Sequence, residues 1–166
     1  ESEMKVVDIH SGIDSTLMIL QHRLKAKANF PGIEIVKAYA PLPLVDCYAG
    51  QLNQVFMNLL SNAVDALEEA WAQEIVTTPT ITVQTLMVSE QAIAIQFIDN
   101  GPSIPDSIKS RLFNPFFTTK AVGKGTGMGL SISYQIVVEK HRGTLTCDSD
   151  PTQWGNTFTV TIPIHQ

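Results

Sequence analysis

At 166 residues, with 44% apolar and only 16% charged side chains, the chain has the size and composition of one domain that buries a core without help from disulfides or metals. Its 11 Lys and Arg against 16 Asp and Glu leave a net charge of −5, which excludes the composition of a disordered chain and of a general nucleic-acid binder, normally basic. Cys47 and Cys147 have no metal-ligand spacing and form no secreted disulfide framework, so a reducing compartment is expected. No uninterrupted apolar run approaches the ~20 residues of a membrane-crossing helix, and Glu1-Ser2-Glu3-Met4 is unlike a signal peptide. The expectation is a cytoplasmic domain without direct membrane contact, cut from a longer protein at residue 1.

In chain order, Ile13, Leu17, Leu20 and Leu24 draw one apolar stripe on a helix over residues 9–27, which Asn29-Phe30-Pro31-Gly32 stops. Residues 33–39 read as a strand, and Pro41 and Pro43 confine the next stretch to a loop. A second helix spans about 49–71. Leu52, Val55, Phe56, Leu59, Leu60, Ala63, Leu67 and Ala70 form its apolar face, bordered by Gln54, Asn58, Asn62, Asp65 and Glu69. Residues 80–88 and 91–98 read as a hairpin, with Ile93, Ile95 and Phe97 on one face. A loop rich in Gly, Pro, Ser and Thr covers 99–127, a length at which loops are usually functional. A helix from near Gly127 to Gly143 comes next, then strands over 143–148 and 156–164; in the last, Phe158, Val160, Ile162 and Ile164 alternate with Thr157, Thr159 and Thr161. Helices and hairpins segregated in this way predict an α+β two-layer sandwich, with a mixed, mostly antiparallel sheet covered by helices on one face.

Four stretches carry possible chemistry. Gly123, Gly125, Gly127 and Gly129 alternate into a helix start, where bare backbone N–H groups can cradle an anion; a plain hinge is the alternative. The run fits neither a P-loop nor a dinucleotide fingerprint. Asn58, Asn62 and Asp65 share one line of their helix, and their oxygens suit a hard cation such as Mg²⁺ or simply a solvated face. Asp99 follows a strand end and opens Asp99-Asn100-Gly101-Pro102-Ser103-Ile104-Pro105, a turn whose carboxylate can accept from an amino group such as adenine's. Asn114-Pro115-Phe116-Phe117 sets two aromatics in the long loop, as anchor or contact. The stretch from Pro105 to Arg142 is also locally cationic: Lys109, Arg111, Lys120, Lys124, Lys140 and Arg142 face only Asp106 and Glu139, which suits a compact anionic ligand.

Taken in order, Asn58-x-x-x-Asn62-Ala63, Asp99-x-Gly101, Asn114-Pro115-Phe116-Phe117 and Gly125-x-Gly127-x-Gly129 resemble the N box, first glycine box, F box and second glycine box of sensor histidine kinases. The likeness covers about residues 5–164 and extends to the Bergerat fold shared with the Hsp90, MutL and gyrase ATPases. It implies a single ATP-binding catalytic domain with a lid over about 102–126, and a dimerisation and phosphoacceptor domain upstream of residue 1. It implies catalytic roles for Asn58 and Asn62, with Asn62 on Mg²⁺ and Asp65 near the nucleotide. It places adenine on Asp99, with Gly101 and Ile104 beside the base and Thr157 helping through water. Phosphates then lie against Gly125, Thr126, Gly127, Met128, Gly129 and Leu130, with Lys120 and Lys124 approaching from the lid. The implied cofactors are ATP and Mg²⁺; the implied partners are the phosphoacceptor domain and, indirectly, a response regulator receiver domain.

Two departures stand out. Ser103 replaces the second glycine of the first glycine box; if that position needs positive φ, serine costs on the order of 1 kcal/mol and stiffens the lid hinge. No phosphoacceptor box surrounds His10, His22, His141 or His165, and His10 reads as a surface histidine. The implied activity is transfer of the γ-phosphoryl group to a histidine on another domain, so the fragment alone is expected not to autophosphorylate. The alternatives are a degenerate interaction module, resting on Ser103, and an ATP-hydrolysing switch, for which Asn58 stands where a glutamate base would be required.

Overall fold

The computed structural model describes residues 3–115, 117, 129–149 and 154–166. Its main sheet joins β2 (Glu34–Tyr39), β4 (Thr80–Met87), β5 (Ala92–Asp99), β6 (Thr144–Asp148) and β7 (Asn156–Pro163) in the spatial order β2-β4-β5-β7-β6. β2 runs parallel to β4 and every other pair is antiparallel. The strand alternation decides which face is covered. Ile81, Val83, Ile93, Ile95, Phe97, Phe158, Val160 and Ile162 are buried on the helix side, while Thr82, Gln84, Gln96, Thr157, Thr159 and Thr161 are half-buried on the other. The result is the expected α+β two-layer sandwich with a mixed, mostly antiparallel sheet.

The central helix α3 (Ala49–Ala72) lies across β5, where Phe56 meets Phe97 with ring centroids 6.0 Å apart. Nine of its residues, from Leu52 to Ala70, are buried; a fully buried leucine contributes roughly 2 kcal/mol, so this face anchors the fold. α1 (Ile9–Ile19) packs along one side of α3, its first turn capped by the Asp8 carboxylate accepting from the His10 N–H at 2.9 Å. The helix expected to reach residue 27 breaks at Leu20 and resumes as α2 (Gln21–Leu24). Gly32 bears on where α2 ends, not on the break at Leu20. Its φ is +86°, and a Cβ there would stand 2.7 Å from the Leu24 carbonyl oxygen, so the chain folds back closely beneath α2.

Three elements were not anticipated. β1 (Lys5–Val7) and β3 (Val45–Cys47) pair antiparallel as a small ribbon, fastened to the main sheet by the Asp46 N–H donating to the Ile164 carbonyl at 2.8 Å. Within the long loop, α4 (Asp106–Lys109) forms one turn. α5 (Gly129–Tyr134) continues into a π-helical stretch, Gln135–Lys140, that packs along the other side of α3. Among the described residues no helix is long and apolar enough to cross a membrane.

Candidate active site

The polar border of α3 faces α5 and supplies the first half of the site. Asn58 donates its side-chain amide to the Gly129 carbonyl and to Ser133 Oγ, both at 3.1 Å. The carbonyl can only accept, so the orientation of the amide is determined: its NH₂ end is committed and Oδ1 is the end left for a ligand. Ser133 is fully buried, and Asn58 thereby couples the central helix to the first turn of α5. Asn62 lies half-buried one turn further on the same line. Asp65, the third residue of that line, is held by Arg23 of α2, whose Nη2 lies 2.7 Å from Asp65 Oδ1 and 2.8 Å from Glu68 Oε1.

The second half is built at the end of β5. Asp99 is 6% exposed; its Oδ1 accepts from the Gly101 N–H at 2.9 Å and from Asn156 Nδ2 at 3.2 Å. Burial pushes its carboxyl above the usual aspartate range, and these two donors partly offset that. Gly101 sits in close approach to the carboxylate: a Cβ there would stand 3.1 Å from Asp99 Oδ1, tight enough to push it, and 3.5 Å from Leu67, an ordinary contact. Ile104 packs half-buried against the core and donates its N–H to Asn156 Oδ1 at 2.8 Å.

Thr157 and Asp99 are not brought together. β5 pairs Asp99 with Asn156 and Ile98 with Thr157, so Thr157 stands on the outer face of the sheet and Asn156 beside the carboxylate. Asn156 is the residue the sequence reading missed. Its signal was available: the alternation that buries Phe158, Val160 and Ile162 places 156 on the same face, as Ile93, Ile95 and Phe97 do for 99. Ser133 and Arg23 were also missed, because each becomes informative only through its tertiary partner.

Ser103 is corrected. The non-glycine residues at positive φ among those described are Glu74 and Arg142, so the serine carries no left-handed strain; its Oγ donates to the Gly155 carbonyl at 3.3 Å. His10 is likewise no free surface histidine: its ring stacks on Tyr39 with centroids 4.1 Å apart, and Nε2 lies 2.7 Å from Thr85 Oγ1. His141 is fully buried. Its Nδ1 donates to the Ile136 carbonyl at 2.8 Å and its Nε2 accepts from the Tyr48 N–H at 3.0 Å, which ties the π-helical stretch to the start of α3. In the aromatic segment, Phe113 stacks on Tyr134 at 5.4 Å and Arg111 lies 5.1 Å over Phe117, an anchoring arrangement. Gly129 and Leu130 begin α5, with Leu130 half-buried against the core. Lys120, Lys124, Gly125, Thr126, Gly127, Met128 and Phe116 lie outside the described residues. A separate groove of about 310 Å³, lined by Asp8, Ser11, Gly12, Asn53 and Phe56, opens on the α1 side of α3, away from Asp99.

The site thus combines a one-sided sandwich, two aligned asparagines on its central helix and a buried carboxylate at a strand end. Residues 48–166 match the family described as histidine kinase-, DNA gyrase B- and HSP90-like ATPases, and the chain belongs to that family. It is 33% identical to sporulation kinase A of Bacillus subtilis (strain 168) over 84% of this chain and 21% of that protein. It is also 33% identical to the signal transduction histidine-protein kinase AtoS of Escherichia coli (strain K12), over 99% of this chain and 24% of that protein. The chain thus spans about a quarter or less of these relatives. The catalytic domain of the histidine kinase ThkA superposes with a TM-score of 0.80 at 24% identity, covering 99% of each chain.

Proposed function

We propose that the chain is the catalytic ATP-binding domain of a two-component sensor histidine kinase. It binds Mg·ATP and presents the γ-phosphoryl group to a histidine on a separate dimerising domain of the same parent protein, and a response regulator receives the group afterwards. The observation that carries this reading is Asn58. A hydrolase of this family needs a base to activate water, and a carboxamide is too weakly basic near neutral pH to take a proton; the Asn58 NH₂ end is engaged by Gly129 and Ser133. In this reading the nucleophile comes from outside, as an imidazole on the separate domain.

The residues present fit the ligands. The amide oxygens of Asn58 and Asn62 are hard donors suited to Mg²⁺. Asp99 presents a buried acceptor to a base amino group, with Gly101 and Ile104 alongside and space kept by the missing Cβ of Gly101. Phosphate binding is assigned to the segment from Gly125 to Leu130 and to Lys120, and the lid to about 102–126. Bound Mg·ATP supplies the transferable phosphoryl group and neutralises its charge; the chain contributes positioning and exclusion of water. Since Ser103 is unstrained, the degenerate-module reading loses its support. The domain works in the cytoplasm, whether or not the parent is anchored in a membrane.

The test is calorimetric titration with a non-hydrolysable ATP analogue, with and without Mg²⁺, on the chain and on Asn62→Ala, followed by phosphotransfer to the helical domain supplied in trans. Mg²⁺-dependent binding that the variant loses, with phosphate reaching the added domain and none retained by the chain alone, is expected. Absence of binding at millimolar nucleotide overturns the proposal.

A further inference from the structure

Asn156 is 5% exposed, yet each of its polar atoms is used. Nδ2 donates to Asp99 Oδ1 at 3.2 Å and to the Pro102 carbonyl at 2.9 Å. Oδ1 accepts from the Ile104 N–H at 2.8 Å and from Ser149 Oγ at 2.7 Å. A side-chain amide has two donor hydrogens and two acceptor lone pairs, so its capacity is filled. The amide cannot flip. Pro102 offers only an acceptor and the Ile104 amide only a donor, and reversing Asn156 would break both bonds. A buried, fully satisfied polar network of this kind holds one arrangement, because any alternative leaves a group unpaired.

Two further bonds reinforce it. Ser103 Oγ reaches the Gly155 carbonyl at 3.3 Å, and Lys109 Nζ reaches the Ser149 carbonyl at 3.3 Å. The first part of the lid is therefore bolted to the β6–β7 end of the sheet at four positions, Pro102, Ser103, Ile104 and Lys109. None of the bonds described for Asp99 ends on Oδ2, which stays available as an acceptor beside a loop whose position is already set.

We propose that Asn156 is a positioning residue for base selection: by presenting its NH₂ end to Asp99 and its oxygen to Ile104, it fixes carboxylate and loop root so that Oδ2 accepts from a 6-aminopurine. The inference rests on the nucleotide-binding reading above and names the group that sets its specificity. A 6-oxo purine would bring an acceptor to an acceptor and be rejected; a purine without a 6-substituent would lose the bond without the clash. Because the arrangement exists before ligand arrives, little ordering is left to be done on binding.

The test compares Kd for ATP and for purine riboside triphosphate, which lacks the 6-amino group, in the chain and in Asn156→Ala. The unaltered chain should prefer ATP by at least about tenfold, as expected for a hydrogen bond to a charged group. In the variant, ATP affinity should fall about tenfold and that of the analogue less than about threefold, so the preference collapses. Equal weakening of both nucleotides, or a preserved preference, overturns the inference and leaves the nucleotide reading intact. Failure of the unaltered chain to bind either nucleotide overturns both. Should the variant not fold, NMR of the unaltered chain decides. The Asn156 side-chain NH₂ should exchange slowly with solvent and shift on adding ATP far more than on adding the analogue; fast exchange, or equal shifts, refutes the role.

Discussion

Replacing Asp99 by asparagine separates recognition from stability at one buried position. In the native chain, Asp99 Oδ1 accepts two hydrogen bonds, from Gly101 and Asn156. The introduced amide can keep both on its own oxygen, but its NH₂ arm then stands where Oδ2 was and faces the amino group of adenine. A hydrogen bond to a charged acceptor contributes about 1.5–3 kcal/mol, so ATP should bind roughly 10- to 150-fold more weakly. Stability should move the other way. Burial raises the native carboxyl above the ordinary value of 3.8, so the native state holds its proton more tightly than the unfolded chain. That contribution is fully present below pH 3.8 and is lost as pH rises through the raised native value. At neutral pH the ionised group is a net cost that the neutral amide avoids. Asp99→Asn should therefore melt no lower than the native chain at pH 8, with the difference shrinking as pH falls. Calorimetric titration and thermal melts at several pH values check both parts. ATP affinity within about threefold of native, or a large fall in Tm at pH 8, would refute the reasoning.

Other consequences arise from the same contacts. Asn58→Ala leaves the fully buried Ser133 hydroxyl and the Gly129 carbonyl without their donor, and should cost about 1–3 kcal/mol by denaturant unfolding. Burial holds the His141 imidazolium pKa below 6.5, so stability from its neutral ring is present above that pH and declines as pH falls through the lower native value; His141→Leu should flatten that part of the melting profile between pH 7 and 5. The same variant orphans the Tyr48 N–H and the Ile136 carbonyl, lowering stability by about 2–4 kcal/mol at neutral pH. Gly155 has φ +114°, and a Cβ there would lie 2.7 Å from the Asp99 carbonyl oxygen, so Gly155→Ala should lose at least about 2 kcal/mol and weaken ATP binding together, a joint loss readable by melts and titration.

The central helix, the hairpin and the final strand were legible because each carries enough periodic residues to declare a buried face: nine inward positions on α3, strict alternation along β7, and alternation along β5 interrupted only by the small, buried Ala94. The elements that escaped are short. β1 and β3 have three residues each and α4 has four, too few for a period to show, and their order comes from contacts made elsewhere, such as Asp46 with Ile164. The serine at 103 misled because a missing glycine signals strain only when the backbone there is left-handed, and φ is not written in the residue type.

What the sequence determined by itself was the inventory: one helix bearing Asn58, Asn62 and Asp65 in line, a carboxylate ending a strand, and glycines opening the next helix. These depend on spacing along a single element, which local geometry sets. What only the tertiary structure decided was partnership. Arg23 engages Asp65 across 42 residues, Asn58 holds Ser133 across 75, and Asn156 rather than Thr157 stands beside Asp99 across 57. Such pairings depend on the register between strands and the packing of one helix on another, and a shift of one residue in register would send every side chain of a strand to the opposite face.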